Sequence, residues 1–176
     1  MSLHSGHASL AMITVDVNDR QRILSVSDRW LGGIVRKALA AEGVAQAEIG
    51  IMLLDDRRMA AVHQRWLGIP GPTDVITFDL SAAAGPGRGD ALAGDIVLST
   101  ETARRMARTF GWTPRQELAY YLVHGLLHLT GYDDHTPADR RTMRARERAV
   151  MTACGLPRPP RTRAVGVGFQ RGSSNS

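Results

Sequence analysis

The stretch His124-Gly-Leu-Leu-His128-Leu-Thr-Gly131-Tyr-Asp-Asp134-His135 decides how this chain is interpreted. Its two leading histidines lie four residues apart in an apolar run, and residues i and i+4 share one face of an α-helix. Gly131 permits a left-handed turn that returns the following loop over the last helical turn. Two imidazoles and one group from that loop would leave an open metal position, as in catalytic zinc sites. The spacing therefore predicts a metal-binding helix.

The residue after the first histidine limits the kinds of reaction that such a metal site could catalyse. In the His-Glu-x-x-His helix of zinc peptidases, a glutamate at this position is the general base. Here the position is Gly125. Either the metal ion activates water by itself, or the base comes from another part of the chain. A simpler interpretation remains, in which both histidines hydrogen-bond to backbone or carboxylate groups without a metal.

Length and composition limit the class of protein. A chain of 176 residues is long enough for one domain with a real core. The single cysteine, Cys154, excludes an internal disulfide and a cysteine-based zinc site. No apolar run reaches the roughly 18–20 residues that span a bilayer, and the N-terminus lacks a signal pattern. We therefore expect a cytoplasmic protein with no membrane partner.

Positive charge is concentrated at one end of the chain. Residues 136–176 hold nine arginines and two carboxylates, a net charge of +7, whereas the whole chain carries +5. Lys37 is the only lysine. Arginine is the better fork for phosphate, so a nucleic-acid partner is favoured. A GC-rich genome would also explain why arginine is used in place of lysine. It would not explain why the arginines are concentrated at one end of the chain.

The apolar patterns and turn signals predict one α+β domain with a small mixed central sheet of about four strands and about five helices. Strands are predicted near 12–17, 48–54, 74–80 and 94–99. Helices are predicted to start at Ser27 or Asp28, at Asp55 or Asp56, at Ser99 or Thr100, at Thr113-Pro114 and at Thr136-Pro137. We expect residues 1–11 to be a flexible N-terminus, 12–155 to be the functional domain and 156–176 to be a disordered basic tail.

Two further blocks accompany the histidine stretch, Pro72-Thr-Asp-Val-Ile-Thr-Phe78 and Gly94-Asp-Ile-Val-Leu-Ser-Thr-Glu101. Together the three blocks resemble the YbeY family of bacterial zinc-dependent endoribonucleases. The family patterns are His-Gly-x-Leu-His-Leu-x-Gly-Tyr-Asp-His, Pro-Thr-Asp-Val-Leu-Ser-Phe and Gly-Asp-Ile-x-Ile-Ser-x-Glu. Their order and spacing fit as well, and the resemblance covers about residues 12–153.

The resemblance implies a metalloprotease-like fold and one Zn²⁺ per chain. It also implies a single-strand-specific endoribonuclease that uses a zinc-activated water in 16S rRNA 3′-end maturation and in ribosome quality control. The implied partners are rRNA and the small subunit, with ribosomal proteins or a GTPase as further partners and no DNA. Two alternatives stay open: a zinc peptidase or hydrolase of other specificity, and a ribosome-associated binding protein with a structural metal.

The chain departs from the family patterns at two positions. The family places its third ligand, a histidine, ten residues after the first, where this chain has Asp134, and the histidine follows at His135. Register favours Asp134 and chemistry favours His135, since zinc accepts either. The family also has a catalytic or RNA-binding arginine where this chain has Leu67. Arg65, two residues earlier, is the candidate to replace it beside His124 in catalysis.

Five other residues are expected to support the ligands or to bind substrate. They are Asp74, Asp95, Glu101, Arg140 and Arg144. Asp74 could hold an imidazole, and the arginines could contact phosphates. Each also has an ordinary explanation: Asp74 as a turn residue, Asp95 as a strand-start residue, Glu101 at the positive end of a helix, and the arginines on a solvated helix face.

Overall fold

A five-stranded mixed sheet forms the centre of the computed structural model, which describes residues 12–84, 91–160, 165–166 and 169–171. The strands are β1 (Met12–Asp19), β2 (Gln46–Leu54), β3 (Val75–Asp79), β4 (Leu92–Ser99) and β5 (Phe169–Arg171). The helices are α1 (Asp28–Ala41), α2 (Asp56–Leu67), α3 (Thr100–Phe110), α4 (Pro114–Leu129) and α5 (Pro137–Ala153), and a 3₁₀ turn spans Ser81–Ala84. The predicted flexible N-terminus, 1–11, lies outside the described residues.

The strand order is β1-β2-β4-β3-β5. β1, β2 and β4 run parallel, β3 is antiparallel to β4, and β5 is parallel to β3. The α1 helix connects the parallel strands β1 and β2, and α2 followed by β3 connects the parallel strands β2 and β4, since parallel neighbours need a crossover connection. The prediction of a single α+β domain with a mixed sheet and five helices is confirmed.

The fifth strand lies in the segment for which the sequence predicts a disordered tail. Phe169–Arg171 pairs with Thr77, Phe78 and Asp79 on the outer edge of β3, and Val165 is buried in the main core. The prediction therefore does not hold for these residues. The physical reason is that an open strand edge offers unpaired backbone groups to any extended segment that can reach it. Residues 161–164, 167–168 and 172–176 lie outside the described part of the chain.

Local signals in the sequence define where the two functional helices begin. Thr113 and Gln116 form a capping box before α4, and Thr136 and Asp139 form another before α5. Each helix has a proline in its first turn, where the missing N–H costs nothing. These two caps fix the register of the histidines on α4 and of the arginines on α5.

The two faces of the sheet are covered differently. The main core joins one face of the sheet to α1, α3, α4 and α5, whereas α2 packs its Met59 against Ile76 and Val97 on the other face. The α4 helix is buried from Glu117 through Leu129. A Cβ atom at Gly125 would lie 2.9 Å from Thr77 Oγ1 and 3.0 Å from Ile96, so glycine is what lets α4 lie directly on β3 and β4. No described helix has the length and apolar character needed to cross a membrane.

Candidate metal centre

His124 and His128 project from the same face of α4 and are 2% and 4% exposed. Their Nε2 atoms lie 3.0 Å apart, and the two rings meet edge to face. The i, i+4 spacing of a helix brings the rings together. The burial of α4 removes them from water, so their nitrogens depend on partners from the protein or from a ligand.

The outer ring nitrogens both have acceptors. His124 Nδ1 lies 2.6 Å from Glu147 Oε1, and the other oxygen of Glu147 accepts the Tyr120 hydroxyl at 2.9 Å. His128 Nδ1 lies 3.1 Å from the carbonyl oxygen of Tyr132. Because a carbonyl and an ionised carboxylate can only accept, each Nδ1 carries its proton and donates. In the neutral imidazoles each Nε2 then presents a lone pair.

The separation of the two Nε2 atoms shows whether a metal ion could bind between their lone pairs. At 3.0 Å two unprotonated nitrogens repel, and a cation between them satisfies both. In a tetrahedral zinc site with bonds of 2.0–2.1 Å, neighbouring ligand atoms lie about 3.3 Å apart. The observed separation is close to that value, so this donor set fits a metal ion.

The loop after α4 adds a carboxylate to the pair. Gly131 has φ of +106°, and Tyr132 N donates to Leu127 O, so the chain turns back over the helix end. Asp134 Oδ2 lies 3.9 Å from His124 Nε2 and 3.8 Å from His128 Nε2. These three ligand atoms all lie within 4.8 Å of one another, and the group could hold a metal ion.

His135, the other predicted third ligand, lies elsewhere. Its side chain is 75% exposed, and its Nε2 lies 3.3 Å from Asp133 Oδ1. The structure therefore brings together His124, His128 and Asp134, and it leaves His135 on the surface side of the loop.

The protonation state of His128 also suits a metal. Burial lowers the pKa of His128 to about 4, and the charge of His124 acts in the same direction. His128 is therefore neutral near pH 7, and a neutral imidazole is the form that binds a metal.

Asp74 lies near the pair but does not bind an imidazole as the sequence suggested. Its oxygens accept bonds from the Thr73 hydroxyl, from Val75 N and from Gly166 N. Burial raises the pKa of this carboxyl, and these hydrogen bonds and the charge of His124 oppose the rise. Asp74 thus fastens the C-terminal segment to the start of β3 beside the site.

Three predicted residues are not brought to the metal group. Arg65 lies on α2, against the opposite face of the sheet, with its guanidinium over the Trp66 ring. Asp95 points to that opposite face as well, because its neighbours Gly94 and Ile96 face α4. Glu101 accepts a bond from Asp56 N and so caps α2. The alternation of β4 and the helix packing thus place these side chains away from the three candidate ligands, and their roles stay predictions.

The two predicted arginines lie along α5. Arg140 donates to the carbonyl oxygens of Asp134 and His135, at 3.2 and 2.8 Å, and so fixes the loop that carries the third carboxylate. Arg144 lies one turn further along the helix and lines an open groove. Both lie beside the site, and neither contacts a histidine ring.

Sequence reasoning gave no role to Glu147 and Tyr120, which complete the site. Both are buried, and the side chain of Glu147 is 3% exposed. A signal was present, because Glu147 interrupts the buried stripe of α5 that contains Met143, Val150 and Met151. A carboxylate in an otherwise apolar stripe needs a partner, and the buried histidines of α4 needed one too.

Three convergent ligand groups beside a mixed sheet define a class: a small α+β domain with a metal site of the open kind that hydrolases use. The model of one family, described as Endoribonuclease YbeY, matches residues 14–155. This chain belongs to the YbeY family of endoribonucleases, and it is therefore a hydrolase that acts on RNA.

Individual relatives agree with the family match. The endoribonuclease YbeY of Moorella thermoacetica is 39% identical over 153 residues, which cover 81% of this chain and 97% of the relative. That of an Anaeromyxobacter species is 48% identical over 118 residues, which cover 67% of this chain and 60% of the relative. The solution structure of TM1509 from Thermotoga maritima matches with a TM-score of 0.56 at 21% identity, covering 81% of this chain and 89% of that one. This last likeness supports the fold.

Proposed function

We propose that this chain is a zinc-dependent, single-strand-specific endoribonuclease that acts in rRNA processing, at the 3′ end of 16S rRNA, and in ribosome quality control. Its partners would be rRNA in the small subunit, with ribosomal proteins or a GTPase alongside. Cleavage of RNA follows from the family, whereas the metal, the strand specificity and the rRNA substrate are the proposal. The observation that carries the metal dependence is that the two Nε2 atoms lie 3.0 Å apart, while each Nδ1 has a partner that can only accept a hydrogen bond.

His124, His128 and Asp134 would hold the zinc, in preference to a set that includes His135. A zinc ion there would supply Lewis acidity, which acidifies water and polarises a phosphoryl oxygen. Glu147 holds the His124 ring in its orientation and tautomer, and the Tyr132 carbonyl does the same for His128. The negative charge of Glu147 also makes the His124 ring a better ligand. Arg140 would keep Asp134 in place by holding the carbonyls of its loop.

The geometry disfavours a zinc peptidase. The general base of that class would replace Gly125, where even a Cβ atom would meet Thr77 Oγ1 at 2.9 Å. A glutamate at this position would point into the sheet. The outer edge of β3, where an extended peptide could add as a further strand, is paired with β5 instead.

A purely structural metal is disfavoured by the number of ligands. Structural zinc sites are closed by four protein ligands. Within the described parts of the chain, the group around the two histidines has three members. A metal held there would keep one position for water or substrate, which is what hydrolysis needs.

The experiment is cleavage of single-stranded RNA by purified protein with and without a chelator. His124→Ala should abolish zinc binding and cleavage, whereas the matched His135→Ala variant should keep both. Restoring zinc after chelation should restore cleavage in the wild type and not in His124→Ala. Cleavage that survives both His124→Ala and the chelator would show that this group is not the catalytic site. If duplex RNA resists cleavage under conditions in which single-stranded RNA is cleaved, the strand specificity is supported.

A further inference from the structure

A groove on the outer side of α5 carries a concentration of positive charge. Its volume is about 530 Å³. The residues that line it are four arginines and two alanines: Arg141, Arg144, Ala145, Arg148, Ala149 and Arg158. The alanines form a low floor, so a ligand can approach the helix backbone between the guanidinium groups. We call this surface the arginine groove.

Among the described residues, no ion pair neutralises the charge of the arginine groove. Within 12–84 and 91–160, none of its four arginines forms an ion pair with a carboxylate. Arg146 on the same helix is different, because it pairs with Glu42 at 2.5 Å. The groove arginines thus keep their charge for a ligand that approaches from solvent.

Neutral acceptors orient two of these side chains. Arg148 donates to the carbonyl oxygen of Pro159 at 2.5 Å, and Arg158 donates through Nε to Thr152 Oγ1 at 2.9 Å. Each guanidinium has five N–H donors, so most of them remain to contact a ligand. Such a fork matches the geometry of phosphate oxygens.

The groove begins next to the candidate metal centre. Arg140 binds the loop that carries Asp134, and Arg144 and Arg148 follow one and two turns further along α5. At 1.5 Å per residue, the row from Arg140 to Arg148 is about 12 Å long. Successive phosphates of a single strand lie further apart than the ~3.4 Å axial rise of a stacked duplex strand, so the row can contact at most three to four phosphates.

Three carboxylates lie on the open face of the sheet, on the side away from α5. Asp16 and Asp95 flank Gly50 on the open face of the sheet, and Glu48 lies two residues from Gly50 on the same strand. All three carboxylates are exposed. A polyanion is attracted by the four arginines of the groove.

We propose that the arginine groove binds the phosphodiester backbone of the RNA substrate, over at most three to four nucleotides. The proposal rests on the endoribonuclease function, since that function makes RNA the polyanion at this surface. The contacts are to phosphates, so they position the strand and add affinity without reading its sequence. An anionic membrane surface is the competing occupant, and the experiment includes it.

The test compares two double variants that remove the same charge. Arg141→Gln/Arg144→Gln changes the groove, and Arg104→Gln/Arg108→Gln changes two exposed arginines on α3. Binding of a short single-stranded RNA is measured against salt concentration in the full-length chain, in a His124→Ala background that leaves the RNA intact. The measurement is repeated on chelated protein with His124 present, in case that background folds poorly.

Each phosphate contact to a single strand contributes about 0.7 to the slope of log affinity against log salt. The groove variant should therefore flatten the slope by about 1.4, and the α3 variant should leave it unchanged. An equal change in both variants, or no change in the groove variant, would overturn the proposal. Loss of binding to phosphatidylserine vesicles with unchanged RNA binding would assign the groove to a membrane instead. Should zinc-loaded protein fail to cleave RNA while the slope still flattens, the proposed function fails and the groove assignment stands.

Discussion

Two neighbouring groups in this molecule contain the ligand types of a metal site, and they share Asp134. The buried group is His124, His128 and Asp134, and the exposed group is Asp133, Asp134 and His135. The side chains of both buried histidines are 3% exposed, whereas His135 is 75% exposed. Both groups combine histidine with aspartate, and in each the ligand atoms lie within 4.8 Å of one another, so we compare the surroundings of their nitrogens.

The surroundings prepare the buried group for a metal. Glu147 and the Tyr132 carbonyl fix the tautomer and orientation of both rings, and the ligand atoms converge on one point. In the exposed group, Asp133 and His135 form a pair at the surface, where water competes for both. Ordering such a group around a metal costs conformational freedom that the buried group has already lost in folding. We therefore expect the buried group to bind a metal more tightly than the exposed group, because its ligands are preorganised and not because of their identity.

The largest expected effect is the loss of the shared carboxylate. Asp134→Ala should weaken zinc binding by more than about 100-fold, because removing even an outer partner of a ligand costs 10–100-fold. His135→Ala should leave the affinity unchanged. Zinc affinity from competition with a chromophoric chelator checks both variants. A larger loss in His135→Ala than in Asp134→Ala would reverse the assignment of the third ligand.

A smaller effect should follow from the partner of His124. Glu147→Gln keeps the size of the side chain but removes the charge that holds the Nδ1 proton. Zinc affinity should fall by about 10–100-fold, and Tyr120→Phe, which removes only the second bond to Glu147, should have a smaller effect. Asp133→Asn is the matched control in the exposed group and should have none. Thermal unfolding of each variant separates a loss of zinc affinity from a loss of fold.

If Glu147→Gln and Asp133→Asn bound zinc equally well, the outer hydrogen bonds would not distinguish the two groups. The comparison would then rest on burial alone.

Most of the fold could be predicted because its signals are local. The capping boxes at Thr113 and Thr136, with the proline that follows each, place the starts of α4 and α5. The β5 strand could not be predicted in this way. Its pairing depends on the open edge of β3, about 90 residues earlier in the chain, and three residues carry no period of their own.

The site was predictable where its members share one element and less so where elements meet. The i, i+4 spacing on α4 gave both histidines, and the register of the family pattern favoured Asp134. Glu147 reaches His124 from a different helix, so its role depends on how α4 and α5 pack. Asp95 was assigned to the site by its place in a motif, although the alternation of β4 directs its side chain to the other face of the sheet.

The smallest expected effect is on the pH dependence of stability, and it needs no metal. In the metal-free protein, burial holds the pKa of His128 at about 4, below its unfolded value of about 6.5. Between these values the unfolded chain binds more protons than the native chain, so the stability of the native state should fall as pH decreases. From pH 6.5 to pH 5 the loss due to His128 should be about 1.5 kcal/mol. Urea unfolding of chelated protein at several pH values measures this loss of stability.

Two variants test whether His128 is its source. His128→Gln should flatten the pH dependence of stability, and His135→Gln, at the exposed group, should leave it as in the wild type. An equal flattening by both variants would mean that the buried ring titrates like the surface one, and the difference between the two groups would lose its electrostatic basis.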